Sequence, residues 1–563
     1  MLRFLFCALW LLCCHKLPAQ QSSKDDKTTK TAVSADYGSR FDHWPLDYRI
    51  GGTVVAGKLN DAAELESVLG SSERQGTIAV LVDQGFGKET SSQLASVFHG
   101  AERFTLLRRT SAQSFQAWAA LAGSSDVLVW ISASIPGAAE LRGLQQQKPL
   151  LSAFVARGGT IVVGGPAGVT LGSHFANFSD DDASGSRSSG LGLIPETVMV
   201  MVDNDNIRAT SELQSQLESL PRHVGVVLSG EQCLRLRGRQ VTPLGEGSMT
   251  FTIASDREDA VASKTYRDPF RAEGVARPRS ANDFVADLTQ WRRRAYDLEL
   301  EPFPPGERIV PQVANGALVI VGGGGMPRGL MDRFVEMAGG AEQAKLVYVP
   351  CTEQEQVPSN PSTLRQWRQM GVKDVRLLHT KDRTAANEDR DLHALLADAT
   401  GVWFGGGRQW NFADSYYGTK TQTLMHDVLR RGGVIGGSSA GASIQADFLA
   451  RATPIENTEI IAPGYLRGGL GFLKGVAIDQ HFSQRRRQAD LESLVRAYPQ
   501  TLGIGIDEAT AIIVEKSRAS VVGRGDVYFY DSDQSTGETI PPIQLASGKV
   551  YDLASRREVE GDD

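Results

Sequence analysis

Short apolar runs rich in β-branched residues alternate with amphipathic stretches along most of the chain. In the first half, such runs stand at 77–83, 126–132, 160–165, 198–203 and 224–229. Stretches between them, such as LLSAFVARGG, carry the three-to-four-residue apolar spacing of surface helices. This alternation of strand and helix predicts an α/β fold with mostly parallel sheets that are covered by helices on both faces.

The same alternation returns after about residue 312. Its strands are predicted at 317–325, 345–350, 375–378, 401–407, 433–441, 475–482, 502–509 and 511–515. The two series align in order: ARGGTIVVGGPAGVT matches RRGGVIGGSSAGAS, and LESLPRHVGVVLSGE matches VRAYPQTLGIGIDEA. The sequence therefore predicts an internal duplication, with two tandem three-layer sandwiches at 49–255 and 313–563 and a charged, proline-containing connector at 256–312.

The amino terminus differs from the rest of the chain. Residues 1–20 contain one arginine, then an apolar run from Phe4 to Cys14, then a short polar stretch. This pattern is typical of a secretory signal peptide, and the apolar run is too short to span a bilayer. Residues 21–48 are polar and are predicted to form a tether. We therefore expect a secreted or periplasmic protein without a membrane span.

Composition excludes some partners. The formal net charge is −7 over 563 residues, and basic residues are interspersed with acidic ones, which argues against nucleic-acid binding. Of the five cysteines, only Cys233 and Cys351 lie outside the predicted signal peptide, and both are expected to be buried free thiols. We expect no cofactor and no metal site, since no cysteine cluster is left to build one.

A glycine-rich joint at 432–443, GGVIGGSSAGAS, contains the pattern Gly-x-Ser-x-Gly between a predicted strand and a predicted helix. Small neighbours at such a joint allow a sharp turn, so that the serine hydroxyl projects above the sheet as a nucleophile. Ser439 stands at the apex, and the backbone amide of Ala440 would face a developing oxyanion. Phosphate-binding turns share this glycine spacing, so the pattern indicates hydrolysis only together with a base and a carboxylate.

Candidates for both partners end the next two strands. His481 closes the strand at 475–482, and Glu508 closes the strand at 502–509. Because ligands and catalytic groups gather at the carboxyl edge of a parallel sheet, nucleophile, base and carboxylate are expected at one sheet edge. Asp479 is a second candidate for orienting the imidazole, and the sequence leaves the choice between Asp479 and Glu508 open.

Four motifs in the second half carry a resemblance to a known family. FGGGRQ, GGSSAGAS, IDQHFSQRRR and LGIGIDEATAIIVE follow one another between about 313 and 553. Together they resemble the cyanophycinase and dipeptidase E family of serine peptidases, whose fold is similar to the class I glutamine amidotransferase sandwich. The resemblance implies that Ser439 is the nucleophile, His481 the base and Glu508 the third member of a triad.

The resemblance also implies a pocket around this triad. Gly406, in the loop 405–407, would supply a second oxyanion amide beside that of Ala440. Four side chains would line the substrate pocket: Gln409, Gln480, Arg485 and Arg487. Arginines at this place offer planar donors for substrate carboxylates, as recognition of aspartyl residues requires.

Two features depart from the family pattern. Where cyanophycinases usually have a further arginine before a leucine, this chain has Asp490, which puts cleavage of the Asp-Arg polymer cyanophycin in question. In the first half, Pro166 is expected at the position of Ser439 and Gly230 at that of Glu508. The matching strand VMVMVDNDN contains no histidine. Residues 49–255 are therefore predicted to be a degenerate, non-catalytic copy.

The sequence thus predicts an exported serine exopeptidase or isopeptidase that hydrolyses aspartyl peptides, in particular β-linked, cyanophycin-like ones, through an acyl-enzyme. Three alternatives stay open: an α-aspartyl dipeptidase, a small acyl hydrolase or amidase, and a non-catalytic binding module. The sequence does not decide between a homodimer and an intrachain pseudo-dimer, and it does not give the role of the first half.

Overall fold

The computed structural model describes residues 50–59, 62–69, 73–84, 86, 88–176, 187–203, 207–254, 262–267, 286–455 and 459–560. The predicted signal peptide (1–20) and tether (21–48) lie outside the described residues, as do 256–261 and 268–285 of the predicted connector. No helix in the described ranges is long and apolar enough to cross a membrane.

The first half and the connector alternate strands and helices, as the apolar pattern predicts. The strands are β1 (Ile50–Gly57), β2 (Thr77–Asp83), β3 (Arg103–Arg109), β4 (Val127–Ile131), β5 (Thr160–Gly164), β6 (Gly172–Ala176), β7 (Arg187–Ser189), β8 (Ile194–Val202), β9 (Val224–Gly230), β10 (Cys233–Gly238), β11 (Gln240–Leu244), β12 (Gly247–Thr252), β13 (Ser263–Tyr266) and β14 (Ala286–Asp287). The helices are α1 (Ala62–Val68), α2 (Lys88–Val97), α3 (Ala112–Ala120), α4 (Ala138–Gln145), α5 (Lys148–Ala156), α6 (Ile207–Leu217) and α7 (Leu288–Asp297), with 3₁₀ turns at Leu121–Gly123 and Pro166–Leu171.

The second half repeats this alternation. Its strands are β15 (Val313–Val321), β16 (Lys345–Val349), β17 (Asp374–Leu377), β18 (Gly401–Phe404), β19 (Val434–Ser438), β20 (Ala446–Phe448), β21 (Leu473–Gln480), β22 (Leu502–Ile506), β23 (Thr510–Lys516), β24 (Arg518–Gly523), β25 (Val527–Tyr530), β26 (Ile543–Leu545), β27 (Val550–Asp552) and β28 (Arg557–Val559). Its helices are α8 (Leu330–Met337), α9 (Ser362–Gln369), α10 (Arg383–Glu388), α11 (Arg390–Ala397), α12 (Trp410–Tyr416), α13 (Lys420–Arg430), α14 (Ala440–Ser443) and α15 (Gln488–Ala497), with a 3₁₀ turn at Ser483–Arg485.

Each half contains a large and a small sheet. In the first half, an eight-stranded sheet has the order β14-β11-β10-β1-β5-β4-β2-β3, and a six-stranded sheet has the order β13-β12-β9-β8-β6-β7. In the second half, the nine-stranded order is β17-β16-β18-β19-β15-β23-β24-β27-β28, and the five-stranded order is β20-β21-β22-β25-β26. Strands β17 to β15 pair in parallel, and antiparallel strands follow from β23 onward. The predicted α/β class is confirmed, with the parallel strands grouped in blocks.

The large sheet of the second half has helices on both faces. Leu318 and Ile320 of β15 pack into a core that contains Met425 of α13. On the opposite face, Val319 packs into a second core with Phe334 of α8. Because successive side chains of a strand point to opposite faces, the continuous apolar run of β15 is what lets one strand serve both cores.

The two halves share one strand order. Read from β3 to β14, the first large sheet runs β3-β2-β4-β5-β1-β10-β11-β14, and the second runs β17-β16-β18-β19-β15-β23-β24-β27 before β28. In chain order each strand of the first series therefore has a counterpart in the second, for example β19 for β5. In the small sheets, β8 and β9 stand where β21 and β22 stand. This common topology supports the predicted duplication, which stays a prediction.

The register corrects the expected counterpart of Ser439 by one residue. Strands β5 and β19 end at equivalent places in their sheets, and the next residue is Gly165 in the first half and Ser439 in the second. Both have positive φ, 80° and 57°. Pro166 stands one place later, at the position of Ala440. The physical reason is that the proline ring fixes φ near −65°, so that proline cannot occupy the apex of this turn.

Helix α7, inside the predicted connector, packs against both halves. Leu288 and Trp291 are buried in a core of the first half. Tyr296 is buried in the main core of the second half. The Asp287 carboxylate caps the helix by accepting a hydrogen bond from the backbone amide of Gln290 at 2.8 Å. This part of the connector is therefore folded and joins the two halves.

Candidate active site

The joint between β19 and α14 forms a sharp turn at Ser439. Its backbone has φ 57° and ψ −114°, a conformation that a residue with a side chain adopts only when its surroundings impose it. The amide of Ser439 donates to the carbonyl oxygen of Val321, at the end of β15, at 3.0 Å. Ser439 is partly exposed. The turn therefore presents the hydroxyl at the carboxyl end of the parallel strands, where a substrate can reach it.

A chain of two hydrogen bonds joins Ser439, His481 and Glu508. The Oγ of Ser439 lies 2.9 Å from the Nε2 of His481. The Nδ1 of His481 lies 2.6 Å from the Oε1 of Glu508. If Nδ1 carries the proton and donates it to the carboxylate, Nε2 is left to accept the hydroxyl proton of Ser439. The three residues predicted from the strand ends are thus brought together in the geometry of a nucleophile, a base and an orienting acid.

Burial adjusts His481 for this role. The residue is 8% exposed. Burial lowers the pKa of His481 below its usual value, the hydrogen bond to Glu508 opposes that shift, and the charges of Arg485 and Arg487 add to it. A lowered pKa keeps the imidazole neutral near pH 7, which is the form that can accept a proton.

The three residues lie on two sheets, whereas the sequence predicted one sheet edge. Ser439 follows β19 of the large sheet, and His481 and Glu508 follow β21 and β22 of the small sheet. The sheets approach each other closely at these strand ends. A Cβ atom added at Gly322 would lie only 2.2 Å from the carbonyl oxygen of Asp507. The short helix α14 carries the chain from one sheet to the other, and the apolar pattern does not report such a change of sheet.

A run of glycines after β15, Gly322 to Gly325, packs against the triad and was missed by sequence reasoning. A Cβ atom at Gly323 would lie 2.4 Å from the Cε1 of His481, and one at Gly324 would lie 2.2 Å from the Cδ of Glu508. Both residues have positive φ, 89° and 63°. The sequence signal was the strand ending in four glycines, which indicates a close approach of the backbone to another group.

This packing gives a testable prediction. We expect Gly324→Ala to lower kcat by about 100-fold or more, because the new methyl group displaces the Glu508 carboxylate from His481. Gly329→Ala is a matched control: Gly329 has φ 72°, but a Cβ atom there meets no atom within 4 Å. It therefore carries the same backbone cost without the collision. Equal loss of kcat in both purified variants would contradict this role of Gly324.

Two backbone amides lie close to Ser439 in space or in sequence. Ala440 is the first residue of α14, and a Cβ atom at Gly406 would lie 3.6 Å from the Cβ of Ser439. Within the part of the chain that the structure describes, neither amide donates a hydrogen bond. Unpartnered amides near a nucleophile are suited to stabilising an oxyanion.

The two predicted pocket glutamines are both buried. The amide nitrogen of Gln409 donates to the carbonyl oxygens of Ala450 and Arg451, at 2.7 and 2.8 Å, and so holds the loop after β20. The side-chain oxygen of Gln480 is buried and has no hydrogen-bond partner among the described residues. Gln409 therefore has a structural bond in this state, whereas Gln480 keeps an unused acceptor next to His481.

The two predicted pocket arginines differ. Arg485 is exposed. Arg487 is buried and donates to the Asp479 carboxylate at 2.8 Å and to the backbone oxygen of Gln480 at 2.6 Å. Burial lowers the pKa of Arg487, and Asp479 opposes that shift. The structure therefore leaves Arg485 available to a ligand and places Arg487 in an internal ion pair.

Asp479 and Asp490 are both held by Arg451. The Nε of Arg451 lies 2.9 and 3.0 Å from the two oxygens of Asp479. Its Nη2 lies 2.5 Å from Asp490. The Asp479 carboxylate is thus occupied by two arginines, and Glu508 is the acid that contacts His481. The unexpected acid at 490 has a partner that the motif comparison did not suggest.

Within the described residues, neither cysteine forms a disulfide. Cys233 and Cys351 are free, and burial raises the pKa of the Cys351 thiol to about 12. Cys233 is buried as expected, whereas Cys351 is partly exposed. Among the described residues there is no group of histidines, cysteines and acids that could hold a metal ion. Ser439 is therefore the nucleophile candidate at this site, because a protonated thiol is a poor one.

Comparison with known proteins bears on the second half. Residues 308–522 match the family model of peptidase family S51. The cyanophycinase of Trichormus variabilis is 28% identical over 242 residues, which is 42% of this chain and 80% of the relative. The cyanophycinase of Thermosynechococcus vestitus is 29% identical over 275 residues, 47% of this chain and 84% of the relative.

Two solved structures are also similar. A peptidase from an acI-B1 Actinobacterium is 22% identical, and the similarity covers 42% of this chain and 97% of that one with a TM-score of 0.32. A putative peptidase E protein from Listeria monocytogenes is 16% identical, with 38% and 100% covered and a TM-score of 0.29. The family match and the curated relatives show that the second half of this chain is similar to peptidase family S51, and they support a serine-type peptidase.

Proposed function

We propose that the second half is an exported serine exopeptidase or isopeptidase that hydrolyses aspartyl peptides through a Ser439-His481-Glu508 triad. The observation that carries the proposal is the continuous hydrogen-bond chain, 2.9 Å from Ser439 to His481 and 2.6 Å from His481 to Glu508. Nucleophile and base within hydrogen-bond reach, with the base oriented by a third group, are the arrangement that covalent acyl transfer requires. The support for export is the sequence of residues 1–20 alone.

In the acylation step, the Oγ of Ser439 attacks the carbonyl carbon of the scissile bond while Nε2 of His481 takes its proton. The carbonyl oxygen becomes an oxyanion, which accepts hydrogen bonds from the amides of Ala440 and Gly406. Glu508 stabilises the imidazolium that forms. The bond to nitrogen then breaks, the amine leaves with the proton from His481, and the acyl group stays on Ser439.

In the deacylation step, water replaces the amine. His481 takes a proton from the water as its oxygen attacks the acyl carbon, and the same two amides hold the second oxyanion. The ester bond to Ser439 breaks, Oγ recovers its proton from His481, and the carboxylic acid product leaves. The cycle consumes one water for each bond cleaved and restores the starting protonation of all three residues.

Two observations support aspartyl substrates. The two curated relatives are cyanophycinases, and their alignments with this chain cover 80% and 84% of the relatives' own length. Arg485 is exposed and close enough to His481 for its charge to help lower the pKa of the imidazole. An arginine at that place supplies the donors that a substrate carboxylate needs.

We further propose that the first half is a non-catalytic copy. Gly165 stands at the position of Ser439, and Pro166, at the position of Ala440, has no N–H to offer an oxyanion. In the small sheet, Val202 stands where His481 stands, and Gly230 stands where Glu508 stands. The nucleophile, the base, the acid and one oxyanion donor are all missing there.

The experiment is amine release from matched β-linked and α-linked aspartyl dipeptides and from cyanophycin, with Ser439→Ala as the blank. We expect serine-dependent release from β-aspartyl substrates, and loss of that preference in Arg485→Gln through a higher KM. Release from α-aspartyl dipeptides alone would identify an α-aspartyl dipeptidase. Equal cleavage of simple esters or amides without a carboxylate would favour an acyl hydrolase, and the absence of any Ser439-dependent turnover would favour a binding module.

A further inference from the structure

A buried group of charged side chains joins the two halves next to helix α12, which follows the loop that carries Gly406. Arg239 lies in the turn between β10 and β11 and is 6% exposed. Its guanidinium donates to both oxygens of Asp287, at 2.5 and 2.9 Å. The same guanidinium crosses to the second half, where Nη1 lies 2.5 Å from Asp414 and Nη2 lies 2.5 Å from the hydroxyl of Tyr465. One side chain of the first half therefore holds two residues of the second.

Asp414 is held from several directions. It lies on α12 and is 1% exposed. Arg293 of α7 donates to its Oδ1, and the hydroxyl of Tyr465 donates to the same oxygen at 2.9 Å. Burial by itself would raise the pKa of Asp414, but Arg239 and Arg293 hold that pKa well below its ordinary value. The carboxylate is therefore ionised, and its place depends on these arginines.

Helix α12 follows directly on the loop that carries Gly406. Trp410, its first residue, lies under the guanidinium of Arg239, with 4.9 Å from the guanidinium carbon to the ring centroid. Gln409, one residue earlier, holds the loop at Ala450. Because Arg239 contacts the helix at both Trp410 and Asp414, it fixes the direction in which α12 leaves the Gly406 loop. An oxyanion donor loses its effect when it is displaced by even about 1 Å.

We propose that Arg239 is a positioning residue for the oxyanion loop, so that the first half serves the reaction by holding α12 in place. The inference rests on the proposed function, since it assigns the Gly406 amide to the oxyanion. It gives the degenerate half a role that does not require a ligand. The predicted consequence is a fall in kcat with KM preserved, because Gln480 ends β21 and Arg485 lies in the 3₁₀ turn that follows it, both outside the Gly406 loop and α12.

The test uses the full-length protein with the paired change Arg239→Met and Asp287→Asn. One positive and one negative charge are removed together, so that no buried charge of the pair is left alone. Asparagine can still cap α7 by accepting from Gln290, and Asp414 keeps Arg293. We expect kcat on a β-aspartyl dipeptide to fall about 10- to 100-fold with KM within about two-fold. The rate of Ser439 labelling by a fluorophosphonate should fall in parallel, which gives a readout that does not depend on the substrate.

Two further variants keep the test decisive. Arg239→Lys keeps the charge but lacks the planar fork that reaches Asp287, Asp414 and Tyr465 at once, so its kcat should lie between those of the wild type and the double variant. The control is Arg109→Met with Asp83→Asn, a matched pair inside the first half at 2.6 and 2.8 Å. Its kcat should equal that of the wild type.

The outcomes separate the two proposals. Wild-type kcat and labelling rate in the folded Arg239 variants would overturn the positioning role and leave the proposed function intact. An equal loss in the Arg109 control would also overturn it, because the effect would then be a general loosening of the first half. Absence of both turnover and Ser439 labelling in the wild-type protein would overturn the proposed function, and the positioning role with it.

Discussion

Ser439→Ala is expected to lower kcat by about 10⁴-fold or more, with little change in KM. The variant keeps the backbone turn and the two amides, but it has no oxygen to attack the carbonyl carbon and no proton to pass to His481. Substrate binding depends on groups elsewhere in the pocket, so the loss should fall on kcat. Initial rates of amine release over a range of peptide concentrations measure both constants.

The adjacent serine provides the control for this prediction. Ser438 is the last residue of β19, and its hydroxyl has no hydrogen-bond partner within the described residues. We expect Ser438→Ala to keep a kcat near that of the wild type and to be labelled by a fluorophosphonate at the wild-type rate. Loss of labelling in Ser438→Ala together with its retention in Ser439→Ala would show that the nucleophile has been assigned to the wrong serine.

Glu508→Gln is expected to lower kcat on the order of 10³- to 10⁴-fold. A carboxylate can only accept the Nδ1 proton, whereas an amide can also donate to Nδ1 and so favour the tautomer in which Nε2 cannot take the serine proton. The pKa of His481 should fall as well, because the hydrogen bond that His481 donates to the Glu508 carboxylate raises it. Activity needs the neutral imidazole and is lost as the pH falls through that pKa. The acid limb of the residual kcat/KM profile should therefore move to lower pH in Glu508→Gln.

Asp479→Asn separates the two acids that the sequence left open. Its carboxylate is bonded to Arg451 and Arg487 and not to the imidazole. We expect this variant to unfold at a lower temperature while the acid limb of kcat/KM stays at the wild-type pH. If the limb moved in Asp479→Asn and stayed in Glu508→Gln, Asp479 would be the orienting acid.

The sequence was informative where a function depends on local chain direction. The ends of buried strands were recognisable from their apolar runs, and Ser439, His481 and Glu508 each follow such an end. The turn at Ser439 is also a local feature, since small residues on either side of it are required within a few positions. The alignment of Pro166 with Ser439 was wrong by one residue. It compared glycine pairs alone and did not use the rule that proline cannot adopt the positive φ of the turn.

What the sequence could not give depends on contacts between distant segments. Arg239 and Asp414 are separated by 175 residues, and no periodicity links them. The pairing of Arg451 with Asp490 could not be predicted either. A motif comparison considers only the residue type at position 490 and not the residue that contacts it. The glycines at 323 and 324 were visible, but their neighbours could be known only once the two sheets were placed together.

Helix α7 has a consequence for how this protein is divided. The region that matches the family begins at residue 308, whereas the packing of the second half begins earlier, with Tyr296 in its main core. A polypeptide started at 308 would leave a hole where that ring sits and would remove both arginines from Asp414. The region that matches the family and the region that shares the main core of the second half thus have different boundaries here. The two halves should accordingly unfold together, because unfolding of one half removes side chains that complete the core of the other.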